Sequence, residues 1–213
     1  IEAELAKGQI QEAGSFTAKL AKFKGEKIEL KSKEESEAAA ADIQGKSFTV
    51  ADVKKNEKKR NPDPPFITST LQQEAFNKLK FNATKTMIVA QQLYEGIDIG
   101  EESPVGLITY MRTDSTRVAP EAINEVRHWI STRFGNDYLP ESANVYKVKK
   151  FAQEAHEAIR PTLISRPADS LKDYLTPEQI KLYDLIYNRF VASQMNPARF
   201  ATTSVDIAAG DYL

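Results

Sequence analysis

Apolar residues alternate with polar ones near both ends of the chain. Near the amino end, one face of this alternation is formed by Phe16, Ala18, Leu20, Ile28 and Leu30. A period of two predicts β-strands, and Gly25 between the two halves of the pattern predicts a hairpin turn. The same period returns at Phe48 and Val50, and near the carboxyl end at Ala201, Thr203, Val205 and Ile207. Both ends are therefore predicted to be rich in β-structure.

The middle of the chain carries apolar residues at the helical spacing of about 3.6 residues. Capping residues, prolines and glycines mark where each helix begins and ends. The predicted helices cover 69–81, 84 toward 96, 120–135 and 176 to just before Pro197, and a short exposed helix over 32–43 precedes them. The short, partly β-branched run 107–110 favours a strand or extended segment instead.

A proline-rich connector separates the two kinds of pattern. Residues 61–65 are Asn-Pro-Asp-Pro-Pro, and their prolines forbid helix and remove backbone donors. We place a domain boundary there and a second crossing near 195–198. The predicted fold is α+β, with a mainly helical domain over 66–195 inserted into a discontinuous β-rich domain formed by 1–65 and 196–213.

The composition narrows the class of protein. The 213 residues carry 29 basic and 30 acidic side chains, so any contact with nucleic acid has to rest on local patches. Cysteine is absent, which excludes disulfides and thiolate metal sites. No apolar run approaches the ~20 residues of a membrane span, and the amino end has no signal-peptide pattern. We expect a cytoplasmic protein, and the abrupt ends suggest a piece of a longer one.

The segment 106–115 concentrates groups that can act on a phosphodiester. It places Tyr110, Arg112 and Asp114 together at a predicted strand end, and an extended chain would hold Tyr110 and Arg112 on one face. A tyrosine hydroxyl has an ordinary pKa of about 10 and needs nearby positive charge or a base to become nucleophilic. The forked guanidinium of an arginine matches a phosphate. Taken alone, however, the same residues describe a half-buried strand aromatic beside solvated charges.

A second cluster, 154–161, contains one of the two histidines of the chain. His156 lies four residues before Arg160, so on a helix both side chains would share a face. A histidine can assist proton transfer and an arginine can hold phosphate charge. A surface helix with an ion pair between Glu157 and Arg160 is an equally simple interpretation of this cluster.

Four blocks in order resemble the type IA DNA topoisomerases of bacteria. They are 65–72 (Pro-Phe-Ile-Thr-Ser-Thr-Leu-Gln), 90–96 (Ala-Gln-Gln-Leu-Tyr-Glu-Gly), 106–115 (Gly-Leu-Ile-Thr-Tyr-Met-Arg-Thr-Asp-Ser) and 156–162 (His-Glu-Ala-Ile-Arg-Pro-Thr). Residues 188–197 resemble the return from the tyrosine domain to the β arch of that family. The resemblance covers most of the chain and is weakest over 1–60.

The resemblance implies an enzyme that cleaves one DNA strand through a 5′-phosphotyrosyl intermediate, passes a strand and religates, relaxing negative supercoils without ATP. It implies Tyr110 as the nucleophile, Arg112 at the scissile phosphate, and Asp114 with His156 as a supporting pair. Glu157 and Arg160 are implied as further DNA-binding residues. The β-rich domain would be part of the arch.

The resemblance also implies partners outside this chain. The family binds Mg²⁺ through an alternating acidic motif in another domain, and no Asp-x-Asp-x-Glu occurs here. Asp98, Glu101 and Glu102 are interpreted as a solvated loop. We therefore expect no metal site in this chain, no cleavage by the chain alone, single-stranded DNA at the cleavage site, and a monomer that works with the remaining domains of one polypeptide.

Two other functions fit parts of the pattern. A tyrosine recombinase or type IB enzyme also uses tyrosine, arginine and histidine, but places the tyrosine after the other two, whereas Tyr110 precedes His156. A non-catalytic module that binds single-stranded DNA would use basic runs beside stacking rings. The residues for such a module are Lys54 to Arg60, Lys147, Lys149, Lys150, Tyr146 and Phe151.

Overall fold

The computed structural model describes residues 1–6, 14–100, 103–146 and 156–213. Within them, the α-helices are α1 (Lys33–Gln44), α2 (Thr68–Glu74), α3 (Ala83–Glu95), α4 (Pro120–Phe134) and α5 (Pro177–Ser193). The strands are β1 (Glu2–Leu5), β2 (Phe16–Lys19), β3 (Lys22–Phe23), β4 (Glu26–Lys27), β5 (Thr49–Arg60) and β6 (Ala198–Ala208). The predicted α+β class is confirmed. Among these described helices, none has the length and apolar character needed to cross a membrane.

The chain divides into two compact units. The terminal unit comprises Ile1–Lys58 and Arg199–Leu213, and the central unit comprises Lys59–Ala198. Each unit has its own cluster of buried apolar side chains. In the terminal unit, the buried residues are Ala39, Ile43, Ala209 and Tyr212.

The strands of the terminal unit pair differently from the predicted hairpin. A tight antiparallel turn does form at Gly25, between β3 and β4. However, β2 pairs with β1, where Leu5 lies opposite Phe16, so the prediction of one long hairpin over 15–31 was wrong. The physical reason is that the chain end competes for the backbone that follows β2. The N–H groups of Ala21 and Lys22 both donate to the Leu213 carbonyl, at 2.8 and 3.0 Å.

The basic run Lys54–Arg60 lies within β5, which forms a two-stranded sheet with β6. All residues of β5 are exposed. Lys54 is paired with Asp52 at 2.9 Å, and an exposed pair of this kind contributes little stability. The strand owes its form to pairing with β6 rather than to burial of its side chains.

In the central unit, α5 packs against α3 and against the turn Ala75–Leu79 that follows α2. The fully buried side chains at its centre include Leu71, Leu93, Tyr183, Ile186 and Phe190. The broad apolar stripe predicted for α5 therefore faces the core. A capping box at Thr176 starts this helix as predicted: the Gln179 N–H donates to the Thr176 hydroxyl at 3.3 Å, and the Thr176 N–H donates to the Gln179 side chain at 2.9 Å.

The helix predicted over 69–81 begins earlier and is not α-helical throughout. It starts at Thr68, after the cap residue Ile67, whose N–H donates to the Thr70 hydroxyl at 3.1 Å. From Ala75 to Leu79 the chain widens into a π-helical turn. The left-handed conformation of Lys80, with φ of 60°, then ends it.

The proline-rich connector is fastened to the end of α5. The Asp63 carboxylate lies 3.1 Å from the guanidinium of Arg189, which in turn stacks over the Phe66 ring at 4.6 Å. The Tyr146 hydroxyl donates to the Ser193 carbonyl at 2.7 Å and lies 3.3 Å from the Pro62 carbonyl. Burial, followed by the negative charge of Asp63, raises the pKa of Tyr146 to about 12.

Tyr146→Phe is expected to lower the free energy of unfolding by about 1 kcal/mol at neutral pH, because two carbonyl groups lose their contact with the hydroxyl. Above pH ~10 the unfolded tyrosine ionises while the folded one stays protonated, so the wild type loses stability that the variant keeps. The difference in the free energy of unfolding between the wild type and the variant should therefore narrow as the pH rises from 9 to 11. Urea unfolding at several pH values measures it.

The control is Tyr138→Phe, at a ring that is 54% exposed. This variant should match the wild type across the pH range. If the difference in the free energy of unfolding between the wild type and Tyr146→Phe stayed constant with pH, the raised pKa could not belong to this hydroxyl.

Candidate active site

The segment that carries Tyr110 is joined to the segment that carries His156. An antiparallel bridge forms between Ile108 and Pro161. Further hydrogen bonds join the Thr109 N–H to the Arg160 carbonyl (2.9 Å) and the Thr162 N–H to the Leu107 carbonyl (3.0 Å). The structure therefore brings together two clusters that lie far apart in the sequence.

Residues 156–160 are extended, so the helical interpretation of this cluster was wrong. Their backbone N–H groups bind carbonyls of other segments: the N–H of Ala158 donates to the Arg117 carbonyl and that of Ile159 donates to the Phe66 carbonyl, both at 2.8 Å. A helix would need the same N–H groups for its own carbonyls. The ion pair between Glu157 and Arg160 does form, at 2.8 Å, although the chain is not helical.

Exposure alternates along 110–115. Tyr110, Arg112 and Asp114 are exposed, and the residues between and after them, Met111, Thr113 and Ser115, are buried. The buried hydroxyls form hydrogen bonds with the backbone of this segment: the Ser115 N–H, for example, donates to the Thr113 hydroxyl at 3.1 Å. The phenol, the guanidinium and the carboxylate thus lie on the same, solvent-facing side.

The Tyr110 ring lies between two other rings. Its centroid is 5.3 Å from that of Tyr94 and 5.7 Å from that of His156, and both contacts are edge-to-face. Such contacts are favourable for aromatic rings and limit how the ring can turn. The ring of Tyr110 remains 39% exposed. A large molecule can therefore reach the phenol while its direction is restrained.

Tyr94 was not singled out as a site residue from the sequence. It lies one helical turn after Ala90, which is fully buried, yet Tyr94 is 40% exposed. The residue lies at the end of α3, where the helix gives way to a loop at Gly96. The sequence signal that could have marked it is its place in the block 90–96 of the resemblance, two residues before the glycine that ends the helix.

Two threonine hydroxyls hold the backbone on either side of Tyr110. The Thr109 hydroxyl donates to the Ala158 carbonyl at 2.7 Å and accepts from the Arg160 N–H at 3.0 Å. Past the tyrosine, the Thr68 hydroxyl lies 2.8 Å from the Met111 carbonyl and accepts from the Thr113 N–H at 2.9 Å. These contacts join residues more than forty positions apart, so no local pattern in the sequence could reveal them.

The two predicted arginines differ in what they bind. The Arg160 guanidinium binds residues of its own segment: Nε lies 2.9 Å from the Glu157 carboxylate, and Nη1 lies 3.0 Å from the Pro161 carbonyl. Its side chain is 14% exposed. Within the part of the chain that the structure describes, Arg112 makes no ion pair or side-chain hydrogen bond, and neither does Asp114. Arg112 therefore has its donors available, whereas a DNA contact by Glu157 or Arg160 stays a prediction.

Some predicted residues lie outside the described residues, namely Glu101, Glu102, Lys147, Lys149, Lys150 and Phe151. Asp98 is described, and its carboxylate accepts from the Gly100 N–H at 3.0 Å, which is a local turn contact. Across the described ranges, no group of three or more histidine, aspartate or glutamate side chains is placed to hold a metal ion.

The sequence of the chain matches a family of known proteins. The family described as DNA topoisomerase matches residues 1–212. The chain belongs to the bacterial type IA DNA topoisomerase family. This membership confirms the resemblance drawn from the four blocks, and it sets aside the tyrosine recombinase interpretation.

Individual relatives agree. DNA topoisomerase 1 of Xylella fastidiosa strain 9a5c is 51% identical over 207 residues, which is 93% of this chain and 25% of the relative. The protein of strain Temecula1 has the same identity and coverage. The structure of full-length topoisomerase I from Thermotoga maritima superposes with a TM-score of 0.73 at 39% identity, over 92% of this chain and 30% of that one. The chain thus spans about a quarter of the length of the curated relatives it matches.

One glycine sets how closely the tyrosine segment approaches α3. A Cβ on Gly106 would lie 2.7 Å from the Tyr94 carbonyl oxygen, which is too close for backbone atoms. The next residue, Leu107, donates its N–H to the Leu93 carbonyl at 2.7 Å. The segment is therefore bound directly to the backbone of the helix end that carries Tyr94.

Gly106→Ala is expected to lower the free energy of unfolding by about 1–3 kcal/mol, because a rigid carbonyl has to move to admit the methyl group. The edge contact between Tyr94 and Tyr110 should loosen with it. Denaturant unfolding measures the first effect, and the ring resonances of the two tyrosines report the second. Gly45→Ala is the control, since nothing lies within 4 Å of its added Cβ. Equal stability of the two variants would refute the close approach.

Proposed function

We propose that this chain is the tyrosine-bearing segment of a longer type IA DNA topoisomerase that relaxes negatively supercoiled DNA without ATP. The observation that carries the proposal is the exposed Tyr110 ring between Tyr94 and His156, with Arg112 and Asp114 on the same exposed face. Membership of the topoisomerase family supports it.

The proposed reaction is a transesterification. The Tyr110 oxygen forms a bond to a DNA phosphorus atom, and the bond from that phosphorus to the 3′ oxygen of the neighbouring nucleotide breaks. The phenol loses its proton, and the departing 3′ oxygen gains one. The product is a 5′-phosphotyrosyl linkage that stores the energy of the broken bond. Attack by the 3′ hydroxyl reverses the step after a strand has passed, so no ATP is needed.

The neighbouring side chains have complementary roles in this proposal. Arg112 binds the scissile phosphate and stabilises the charge that builds up on its oxygens, for which its uncommitted donors are suited. His156, whose ring contacts that of Tyr110, assists proton transfer. Asp114, on the same exposed face as Tyr110, is the other member of this supporting pair. Glu157 and Arg160 contribute to DNA binding through the shape of the segment that they brace.

The remaining parts of the enzyme belong to other domains of the same polypeptide. By the family resemblance, we propose that a domain outside this chain would hold the Mg²⁺, and no step above depends on it. We propose the central unit as the tyrosine domain and the terminal unit as part of the β arch. The partner is DNA, single-stranded at the cleavage site, and the enzyme acts as a cytoplasmic monomer at the nucleoid.

Tyr110→Phe in the full-length polypeptide should abolish the covalent adduct with DNA and leave the fold nearly unchanged, because only the attacking oxygen is lost. The measurement is denaturing electrophoresis of the enzyme with single-stranded DNA labelled at one end. Tyr138→Phe removes a hydroxyl from another exposed ring and should form adduct like the wild type.

The polarity of the adduct tests the class of enzyme. Protein attached to the 5′ phosphate supports the proposal, whereas attachment to the 3′ phosphate fits a type IB or recombinase reaction. Adduct that persists in Tyr110→Phe would show that another residue is the nucleophile.

The chain by itself is expected to fold but not to cleave DNA. Both units have their own buried cores, whereas a phenol needs more help than Arg112 and His156 supply to displace a 3′ oxygen. The test mixes the chain with end-labelled single-stranded DNA and magnesium, then denatures the mixture. A Tyr110-dependent band as strong as that of the full-length enzyme would show that the catalytic site is complete in this chain. Weak binding without cleavage should fall as salt rises.

A further inference from the structure

Thr68 binds both peptide groups that flank Arg112. Its hydroxyl accepts from the Thr113 N–H at 2.9 Å, and it lies 2.8 Å from the Met111 carbonyl and 3.0 Å from the Thr113 carbonyl, which share its single proton. The Thr68 N–H also donates to the Thr113 carbonyl at 2.9 Å. One residue at the start of α2 thereby holds the chain immediately before and after Arg112.

These contacts fix the backbone of an arginine whose side chain is otherwise unrestrained. The Met111 carbonyl belongs to the peptide group before Arg112, and the Thr113 N–H belongs to the one after it. With both peptide planes held by one oxygen, the two backbone torsions of Arg112 are determined, and so is the direction in which its side chain leaves the backbone. Thr68 itself stays away from the exposed face, because its partners Met111 and Thr113 are buried.

The Thr68 hydroxyl is not needed to start its own helix. That function belongs to Thr70, whose hydroxyl accepts from the Ile67 N–H at 3.1 Å and lies 3.2 Å from the Ile67 carbonyl. The two threonines are two residues apart on one helix end, yet they serve different segments. This separation allows the effect on Arg112 to be distinguished from an effect on α2.

We propose that Thr68 is a positioning residue of the cleavage reaction, acting through Arg112: its hydroxyl clamps the 111–113 backbone so that the guanidinium points to the scissile phosphate. The proposal rests on the proposed function. An arginine that stabilises a transition state has to be placed to within a fraction of an ångström, so loss of the clamp lowers the cleavage rate without removing any group that touches DNA.

The test compares three variants of the full-length polypeptide. Thr68→Val keeps the shape and removes the hydroxyl, and is expected to slow single-turnover cleavage about 10- to 100-fold. Thr68→Ser restores the hydroxyl and should recover the rate to within about threefold of the wild type. Thr70→Val removes the neighbouring cap and should lower stability in urea while leaving cleavage unchanged. Slow cleavage by Thr68→Ser, or a rate for Thr70→Val as low as that of Thr68→Val, would overturn the proposal.

A double-mutant comparison separates positioning of Arg112 from general damage to the site. If Thr68 acts through Arg112, Thr68→Val should slow an Arg112→Ala enzyme by less than about threefold, since the group that it positions is gone. If Thr68 supports the whole segment, including Tyr110, the two losses should multiply. Multiplied losses would contradict the proposal, whereas a merely structural role could not produce the non-additive result.

Hydrogen exchange of the wild-type chain tests the clamp without a variant. The Thr113 amide should exchange slowly, although it lies between the exposed residues Arg112 and Asp114, because it donates to Thr68. Fast exchange would overturn the clamp even if Thr68→Val failed to fold. Slow exchange in a chain whose full-length form makes no Tyr110 adduct would instead count against the proposed function alone.

Discussion

The structure around Tyr110 depends on satisfying the hydrogen bonds of a buried but irregular backbone. Between Gly106 and Arg117 the chain forms no helix and only an isolated bridge, although several of its residues are fully buried. Buried N–H and carbonyl groups without partners would each cost about 1–3 kcal/mol. Side-chain hydroxyls supply the partners that a regular strand would have supplied. They belong to Thr68, Thr109, Thr113, Ser115 and Thr162.

An irregular segment held in this way can present its side chains differently from a strand inside a sheet. The inward residues Met111 and Thr113 anchor it, and the outward residues Tyr110, Arg112 and Asp114 stay exposed. A central strand would have other strands beside it and would bring backbone to the place where DNA is expected to lie. Holding the segment from behind leaves Tyr110 exposed to solvent, while edge-to-face contacts with Tyr94 and His156 restrain its ring.

The sequence predicted what depends on nearby residues and missed what depends on distant ones. Helix α5 begins at its capping box, and Tyr110 and Arg112 share an exposed face, because both features depend on residues close together in the sequence. The contact between Thr68 and Thr113 spans 45 residues, and that between Thr109 and Arg160 spans 51. The helix predicted around His156 failed for the same reason: a spacing of four suits a helix, but bonds to Phe66 and Arg117 from elsewhere in the chain hold the segment extended.

Three arginines of the central unit show how burial decides what a guanidinium can do. The Arg160 and Arg189 side chains are 14% and 15% exposed, and each binds carboxylates of its own unit, since a buried charge without partners is strongly unfavourable. The donors in those pairs are bound within the unit. Arg112 is exposed and needs no internal partner, so water solvates it until an anion arrives. If the backbone of Arg112 were as free as its side chain, the guanidinium would not be held in one position. The proposed clamp at Thr68 restrains this backbone and leaves the guanidinium available to bind an anion.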